Sequence, residues 1–260
     1  MSAIAAPVDW VRGASRVWSR NFESWKDFAA ASLVGTLAEP ILTLLAIGYG
    51  LGRFVNPIDG QPYVAFLAPG LIASTAMTAA AFETTFGSFT RLTEQRTFEA
   101  IVKTPVAVEE IVAGDIFWGA SKGVLGGAFV LVIMAVLGLV NSPVAIAALV
   151  VAFVVGVMFG ALGMAYTALC PSYAFFNYFF TLVITVMYLF SGVFFPLTGL
   201  PGWAVTAAQF LPLTHAVVLT RTLTTGVPIA DLWMHVGVLA LFTVGAFWLA
   251  TRLIRRRLIR

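Results

Sequence analysis

Three ionisable side chains, Glu39, Glu83 and Lys122, stand inside long apolar runs of this chain. A charge in hydrocarbon is costly, so such a group is either held by a partner or placed on a route for polar cargo. Glu39 lies about 16 Å along its run, near mid-membrane, immediately before Pro40. A carboxyl there has two uses: bonding backbone groups that the proline frees, or meeting a passing substrate. Glu83 and Lys122 each fall roughly 9 Å from the same membrane edge, one on a descending helix and one on a rising helix. That placement predicts an ion pair that holds the structure together.

The rest of the inventory excludes most chemistry. The histidines are His215 and His235, and the single cysteine is Cys170, too few for a disulfide framework or a multi-cysteine metal site. His215 lies in an uncharged region, and His235 stands near Asp231 in the pattern of an interfacial hydrogen bond, so no catalytic residue and no metal ligand is expected. None of the three lysines, Lys26, Lys103 and Lys122, follows a glycine, so the glycine turn and lysine of a P-loop are missing.

The elements that must position these residues are membrane helices. Of 260 residues 60% are hydrophobic and 10% charged, against about 25% charged in soluble domains. Mean hydropathy is +0.95, and a helical span needs about 20 residues. Six spans are predicted, at 28–52, 64–89, 116–140, 144–169, 174–195 and 232–251. Residues 123–220 contain no Asp, Glu, Lys or Arg over 98 positions and must fold back on themselves, with turns at Asn141-Ser142-Pro143 and Cys170-Pro171-Ser172.

Residues 196–226 are apolar but broken by Pro196, Pro201 and Pro212, following Phe195 and containing Trp203 and His215. Irregular backbone in lipid must be covered by protein or reach an interface, so two short helices re-entering one leaflet are expected. Residues 1–27 hold no apolar run of leader length. Arg12, Arg16 and Arg20 recur every four residues opposite a stripe of Trp10, Ala14, Val17, Trp18, Trp25 and Phe28, the pattern of a helix lying among lipid headgroups. The fold class is therefore an all-α membrane protein, an interfacial helix at 1–27 followed by a six-helix domain at 28–260.

Basic residues set the orientation. The amino-terminal segment, the 91–115 insert, Lys122 and the 252–260 tail carry 13 Lys and Arg, whereas the opposite loops carry Arg53 and Arg221. The positive-inside rule then predicts both termini in the cytoplasm. The net charge of +3 is explained by this topology, and no nucleic-acid partner is expected.

The insert has a helix-forming stretch at 91–104 closed by Pro105. Phe98, Ile101 and Val102 form its apolar face, and Arg91, Glu94, Arg96, Thr97, Glu99 and Lys103 surround them. Charges of both signs around an apolar anchor suit docking into a protein groove; a solvated linker has the same composition.

Blocks along the chain resemble the membrane subunits of ABC-2-type ABC exporters, and among them the NodJ-like permeases that work with a NodI-like ATPase. They run from Ala31-Ser32-Leu33 through Leu37-Ala38-Glu39-Pro40 to Ala76-Met77-Thr78-Ala79-Ala80 with Phe82-Glu83-Thr84, then Gln95-Arg96-Thr97 with Glu99-Ala100. They continue with Ala168-Leu169-Cys170-Pro171-Ser172-Tyr173, Ser191-Gly192 with Phe195-Pro196, Leu211-Pro212-Leu213-Thr214-His215 and Arg255-Arg256-Arg257-Leu258. The resemblance implies a half-transporter of the type V exporter kind that dimerises and binds two ATPase subunits, with ATP and Mg on those partners and no cofactor on this chain. It implies that 91–104 is the coupling helix on the ATPase and that 196–226 is the extracytoplasmic re-entrant region.

The expected function is a bacterial inner-membrane permease for export of an amphiphilic, lipochitooligosaccharide-like molecule. An amphiphilic-drug exporter on the same scaffold and an ion-coupled secondary transporter are the alternatives. The latter should show broken helices in two repeated halves, and no such repeat is evident. Aromatics of spans four and five, Tyr166, Phe176, Phe179 and Tyr188 among them, suit acyl chains and sugar faces; helix packing and lipid contact use the same residues.

Overall fold

The computed structural model describes residues 10–58, 60–229 and 231–259. Residues 1–9, Asp59 and Arg260, which belong to the amino-terminal segment, the first turn and the basic tail of the sequence reading, lie outside the described residues. The elements in chain order are α1 (Trp10–Lys26), α2 (Ala29–Phe54), α3 (Tyr63–Glu94), α4 (Thr97–Val102), α5 (Val108–Val136), α6 (Ala145–Leu169), α7 (Tyr173–Phe190), α8 (Gly202–Gln209), α9 (Pro212–Thr225) and α10 (Leu232–Leu258). Among the described residues six of these helices, α2, α3, α5, α6, α7 and α10, are long and apolar enough to cross a membrane. Among the described residues the named elements are all helices, as the six apolar runs predicted.

Helices α3, α5 and α6 pack on one another at the centre, α10 lies along α6, and α1 lies against α5. Close approach depends on small residues. A β-carbon on Gly156 would stand 2.7 Å from Ala120 Cα, and one on Gly114 would stand 2.6 Å from the Ala14 carbonyl oxygen. Both neighbours are backbone and cannot give way. Leu67, Leu71, Ile72, Met77, Met158 and Phe159 fill the main core and are fully buried. Helices α2 and α7 flank this group and leave most of their surface uncovered.

The end of the bundle that carries α1, α4 and the arginines of α10 is here the basic face; α8 and the α9–α10 connection mark the opposite face. Several boundaries differ from the sequence expectation. Helix α3 runs five residues beyond 89, so Arg91 and Glu94 belong to the second span. The single helix expected at 91–104 is divided at Arg96, whose φ of 50° is left-handed and breaks the α-helical ladder. Helix α5 begins at Val108 rather than 116, taking Glu109, Glu110 and Asp115 into the third span, and it ends at Val136. Helix α10 continues through Arg255, Arg256 and Arg257, so the basic tail extends the last span.

Helices α8 and α9 meet at a bend of 86°. Pro212 has no N–H to continue α8 and starts α9 as its first residue. Gly226 closes α9 at φ 79°, a left-handed cap that suits glycine. Helix α9 is buried against α3, α6 and α10, whereas α8 is largely exposed, with Trp203 at 77%.

Candidate functional site

The densest polar arrangement within the bundle is a seam between α3 and α5. Helix α3 widens twice into π-helical turns, at Glu83–Gly87 and Thr90–Glu94. Such turns shift side chains relative to a regular α-helix and concentrate at functional sites. Glu83, Gly87 and Arg91, each four residues from the next, lie along one stripe of α3, and Glu83 and Arg91 face α5. Arg91 Nη1 donates to Glu83 Oε1 at 2.9 Å, and its Nη2 donates to Asp115 Oδ2 at 3.2 Å. Lys122 Nζ donates to the other Glu83 oxygen at 2.9 Å, so the expected Glu83–Lys122 pair forms, with Arg91 as a third member.

Asp115 is fully buried and collects further donors: Ser88 Oγ at 2.7 Å and Asn21 Nδ2 of α1 at 2.5 Å. Arg20 stands 3.9 Å from the same carboxylate. Burial pushes the Arg20 guanidinium below its usual value, Asp115 opposes that shift and Arg91 adds to it. Charges thus alternate along the seam from α1 inward: Arg20, Asp115, Arg91, Glu83, Lys122. Gly87 makes room for it, since a β-carbon there would stand 2.7 Å from Glu83 Oε1 and 3.3 Å from Arg91 Nη2.

Sequence reasoning missed Asp115 and Asn21 because both stood outside the expected spans. The available signal was Asp115 seven residues before Lys122, two helical turns along one face.

Helix α1 joins the seam because its apolar stripe meets protein. Gly13, Ala14, Val17 and Asn21 are buried against α5, and Trp18, Phe22 and Trp25 gather round Trp118 with ring centroids 5.8–6.1 Å away. Trp18 Nε1 donates to Ser121 Oγ at 3.0 Å. The stripe expected among lipid headgroups is therefore largely an α5 contact, while Arg12 and Arg16 remain on the exposed side.

Beyond Lys122 the seam opens into a cavity of about 330 Å³ between α2, α3 and α5. Its polar lining is Ser32, Thr36 and Glu39 from α2, Thr75 and Thr78 from α3, and Lys122 from α5. Phe82 supplies an apolar wall. All three intramembrane ionisable residues therefore converge, in different roles. Glu83 is 8% exposed and held by two cations; Glu39 is exposed on the cavity wall, with no ion pair among the described residues. Hydroxyls, a carboxyl and an ammonium round an opening at this depth can bond sugar hydroxyls and amides.

The segment expected to couple to an ATPase sits on the basic face, with its apolar residue turned inward. Phe98 is fully buried among Leu92, Val108, Ile111 and Ile254 of the chain itself, so it is a core residue and not an anchor offered to a partner. Glu94, Arg96, Glu99 and Lys103 are exposed, Thr97 and Ile101 are half-buried, and Arg91 is withdrawn into the seam.

The aromatics divide similarly. Phe176 is fully buried in a cluster with Phe86, Phe89 and Tyr173, Phe179 is nearly so, and Tyr166 stacks on Phe179 at 5.0 Å while donating its hydroxyl to the Phe175 carbonyl. Phe176 and Phe179 are packing residues, which removes them from an open path. Tyr188 is half-buried and stands beside Thr43 near Glu39.

On the opposite face Phe195 and Pro196 are half-buried, Pro201 and Trp203 exposed, and Pro212 and His215 buried. His215 Nδ1 meets His235 Nδ1 at 2.7 Å and its Nε2 meets the Gln209 carbonyl at 2.9 Å. The ring expected to bond Asp231 thus ties α10 to α9. Arg221 donates to the Phe66 and Gly192 carbonyls at 3.2 and 3.0 Å and lies 4.0 Å over the Phe66 ring, fixing α9 to α3 and to the end of α7.

Comparison with known proteins adds to this geometry. The ABC-2 type transporter family matches residues 14–224. Nodulation protein J of Rhizobium leguminosarum bv. trifolii is 46% identical over 244 residues, covering 94% of this chain and 93% of that protein. Nodulation protein J of Rhizobium meliloti (strain 1021) is 42% identical over 242 residues, covering 93% and 92%. The inner membrane transport permease YadH of Escherichia coli (strain K12) is 26% identical over 242 residues, covering 92% and 93%.

Proposed function

Because this chain belongs to the ABC-2 type transporter family, we propose that it is the membrane-spanning permease of an ATP-driven exporter whose cargo is an amphiphilic lipid-linked oligosaccharide of the lipochitooligosaccharide class. The chain is a transport subunit and not an enzyme. In this reading two copies form a homodimer in a bacterial inner membrane, with both termini cytoplasmic. Two copies of a NodI-like ATPase bind the basic face and supply ATP and Mg. ATP binding on the partner favours one arrangement of the permease over another, and the exposed charges of α4 and its flanks, Glu94, Arg96, Glu99 and Lys103, carry that bias into the bundle.

The observation that carries the reading is the hydroxyl- and charge-lined cavity between α2, α3 and α5. A polar head crossing hydrocarbon needs hydrogen-bonding groups in place of water, and an acyl chain needs none. The cavity offers the first, and the uncovered apolar flank of α2 offers a surface for the second. Two relatives carry the name Nodulation protein J, and the substrate class is the one that the NodJ-like resemblance of the sequence implies.

The test is reconstitution of the permease with its ATPase in proteoliposomes, measuring ATP-dependent movement of a lipochitooligosaccharide and stimulation of hydrolysis. Both are expected. Stimulation by amphiphilic drugs and not by the oligosaccharide would replace the substrate class, and ion-driven movement without the ATPase would replace the mechanism.

A further inference from the structure

The basic end of α10 presents four arginines whose surroundings differ. The Arg252 guanidinium lies 5.1 Å over the Trp248 ring, and Arg255 Nη1 bonds Glu109 Oε1 at 3.0 Å; both serve the side facing α5. Arg257 turns to α6 and donates to the Thr167 and Cys170 carbonyls at 2.6 and 2.9 Å, capping the carbonyl end of that helix. Arg256 is exposed and makes no hydrogen bond or ion pair among the described residues. It lines a cavity of about 460 Å³ between the ends of α6 and α10, together with Arg257, Ala168, Leu169, Pro171 and Leu253.

This cavity has two chemistries in one opening. Arg256 and Arg257 form a cationic rim, and no acidic residue is among the described residues that line it. Below them Leu169 is 66% exposed beside Leu253, an apolar surface continuous with the outside of the bundle. A guanidinium matches a phosphate with paired, charge-assisted hydrogen bonds. Leucines beneath it match hydrocarbon, which a free anion does not bring and an acidic peptide seldom does. Basic pockets between membrane helices near the surface hold anionic lipid headgroups on the same grounds.

We propose that the cleft between the ends of α6 and α10 binds one anionic phospholipid, its phosphate held by Arg256 beside the positive charge of Arg257, whose guanidinium also caps α6, and an acyl chain along Leu169 and Leu253. Its position beside Cys170 and Pro171 puts that lipid against the connection between α6 and α7. The site is separate from the α2 cavity and does not depend on what the transporter carries.

The test uses the full-length permease in nanodiscs of phosphatidylcholine with a titrated fraction of phosphatidylglycerol, reading bound lipid by native mass spectrometry. Phosphatidylglycerol is expected to be retained in preference to phosphatidylcholine. Arg256→Gln should weaken that retention about fivefold, the equivalent of ~1 kcal/mol for one cation near an anionic lipid. Arg252→Gln, one turn earlier on α10 and outside the lining of the cleft, should leave it unchanged, and millimolar inorganic phosphate should fail to displace the lipid. Equal losses from Arg256→Gln and Arg252→Gln would reduce the site to a diffuse basic collar. Full displacement by inorganic phosphate would make it a free-anion site, and unchanged retention in Arg256→Gln would remove it.

Discussion

Two carboxylates in neighbouring spans show how differently one residue type is used. Glu83 of α3 and Glu39 of α2 both interrupt apolar helices, and irregular backbone adjoins both: Glu83 opens a π turn, and Glu39 precedes Pro40 and the π turn Leu44–Gly50. Their settings diverge in packing. The most apolar stretch of α3 is 78% buried inside the protein, that of α2 only 11%. Glu83 is consequently enclosed, and Arg91 and Lys122 each bond one of its oxygens; Glu39 faces open space and hydroxyls. An intramembrane acid with each oxygen on a cation holds the helices together, whereas one on a cavity wall is available to a ligand.

The seam should therefore be the place where substitution damages the protein most. Arg91→Ala leaves Glu83 short of one cation and Asp115 without its ion-pair partner on α3, and removing one partner of a buried pair costs about 3–5 kcal/mol. Loss of the monodisperse peak in size-exclusion chromatography and a much lowered unfolding temperature are expected. The double change Glu83→Lys with Lys122→Glu sharpens the point. For an isolated pair, exchange preserves the attraction; here it sets a lysine against Arg91, so no recovery is expected. Recovery to near wild-type stability would show that Arg91 is peripheral to the pair.

Phe98→Ala should rank next, at about 3–5 kcal/mol for a buried phenylalanine, because its ring is enclosed by α3, α5 and α10. Thermal unfolding of the purified permease without any ATPase is the measurement. A partner's anchor would leave that value unchanged and lower only co-purification with the ATPase, and such a result would return Phe98 to the docking face.

These two cases also mark how far the sequence could be read. Six apolar runs, the Pro212 break and the Glu83–Lys122 pair followed from composition, turn residues and helical rise. The inward turn of Phe98 did not, because an apolar residue among charges reads the same whether its cover comes from its own chain or from another. Asp115 and Arg91 were misplaced for a related reason: hydropathy ends a span at its first charges, whereas buried ion pairs let α3 and α5 carry theirs inward. The π turns have no evident residue signature here and emerge only from the backbone. Phe176 and Phe179 show the same limit, since an aromatic run does not say which rings meet lipid and which meet each other.

Gly87→Ala should come third. The added methyl would crowd Glu83 Oε1 and Arg91 Nη2, and overpacking of this kind costs about 1–3 kcal/mol. A fall in unfolding temperature smaller than that of Arg91→Ala is expected, because the charges remain and can shift. No change in unfolding temperature would mean that the stripe is looser than its distances indicate.

The smallest effect on stability belongs to Glu39→Gln. The side chain already faces open space and makes no ion pair among the described residues, so exchange for the uncharged isostere should alter folding by no more than about 0.5 kcal/mol. Its consequence should fall on cargo instead. A hydrogen bond to a charged group contributes about 1.5–3 kcal/mol, so losing the carboxylate should weaken substrate-stimulated ATP hydrolysis by about tenfold or more in substrate concentration. Basal hydrolysis and assembly should stay at wild-type levels. Ser32→Ala and Thr78→Val, on either side of the same cavity, should weaken stimulation in the same direction by less. If Glu39→Gln instead lowers the unfolding temperature as much as Gly87→Ala and leaves stimulation intact, the carboxyl is bonding backbone beside Pro40. The two acids would then be structural alike, and the cavity would lose its claim on the substrate.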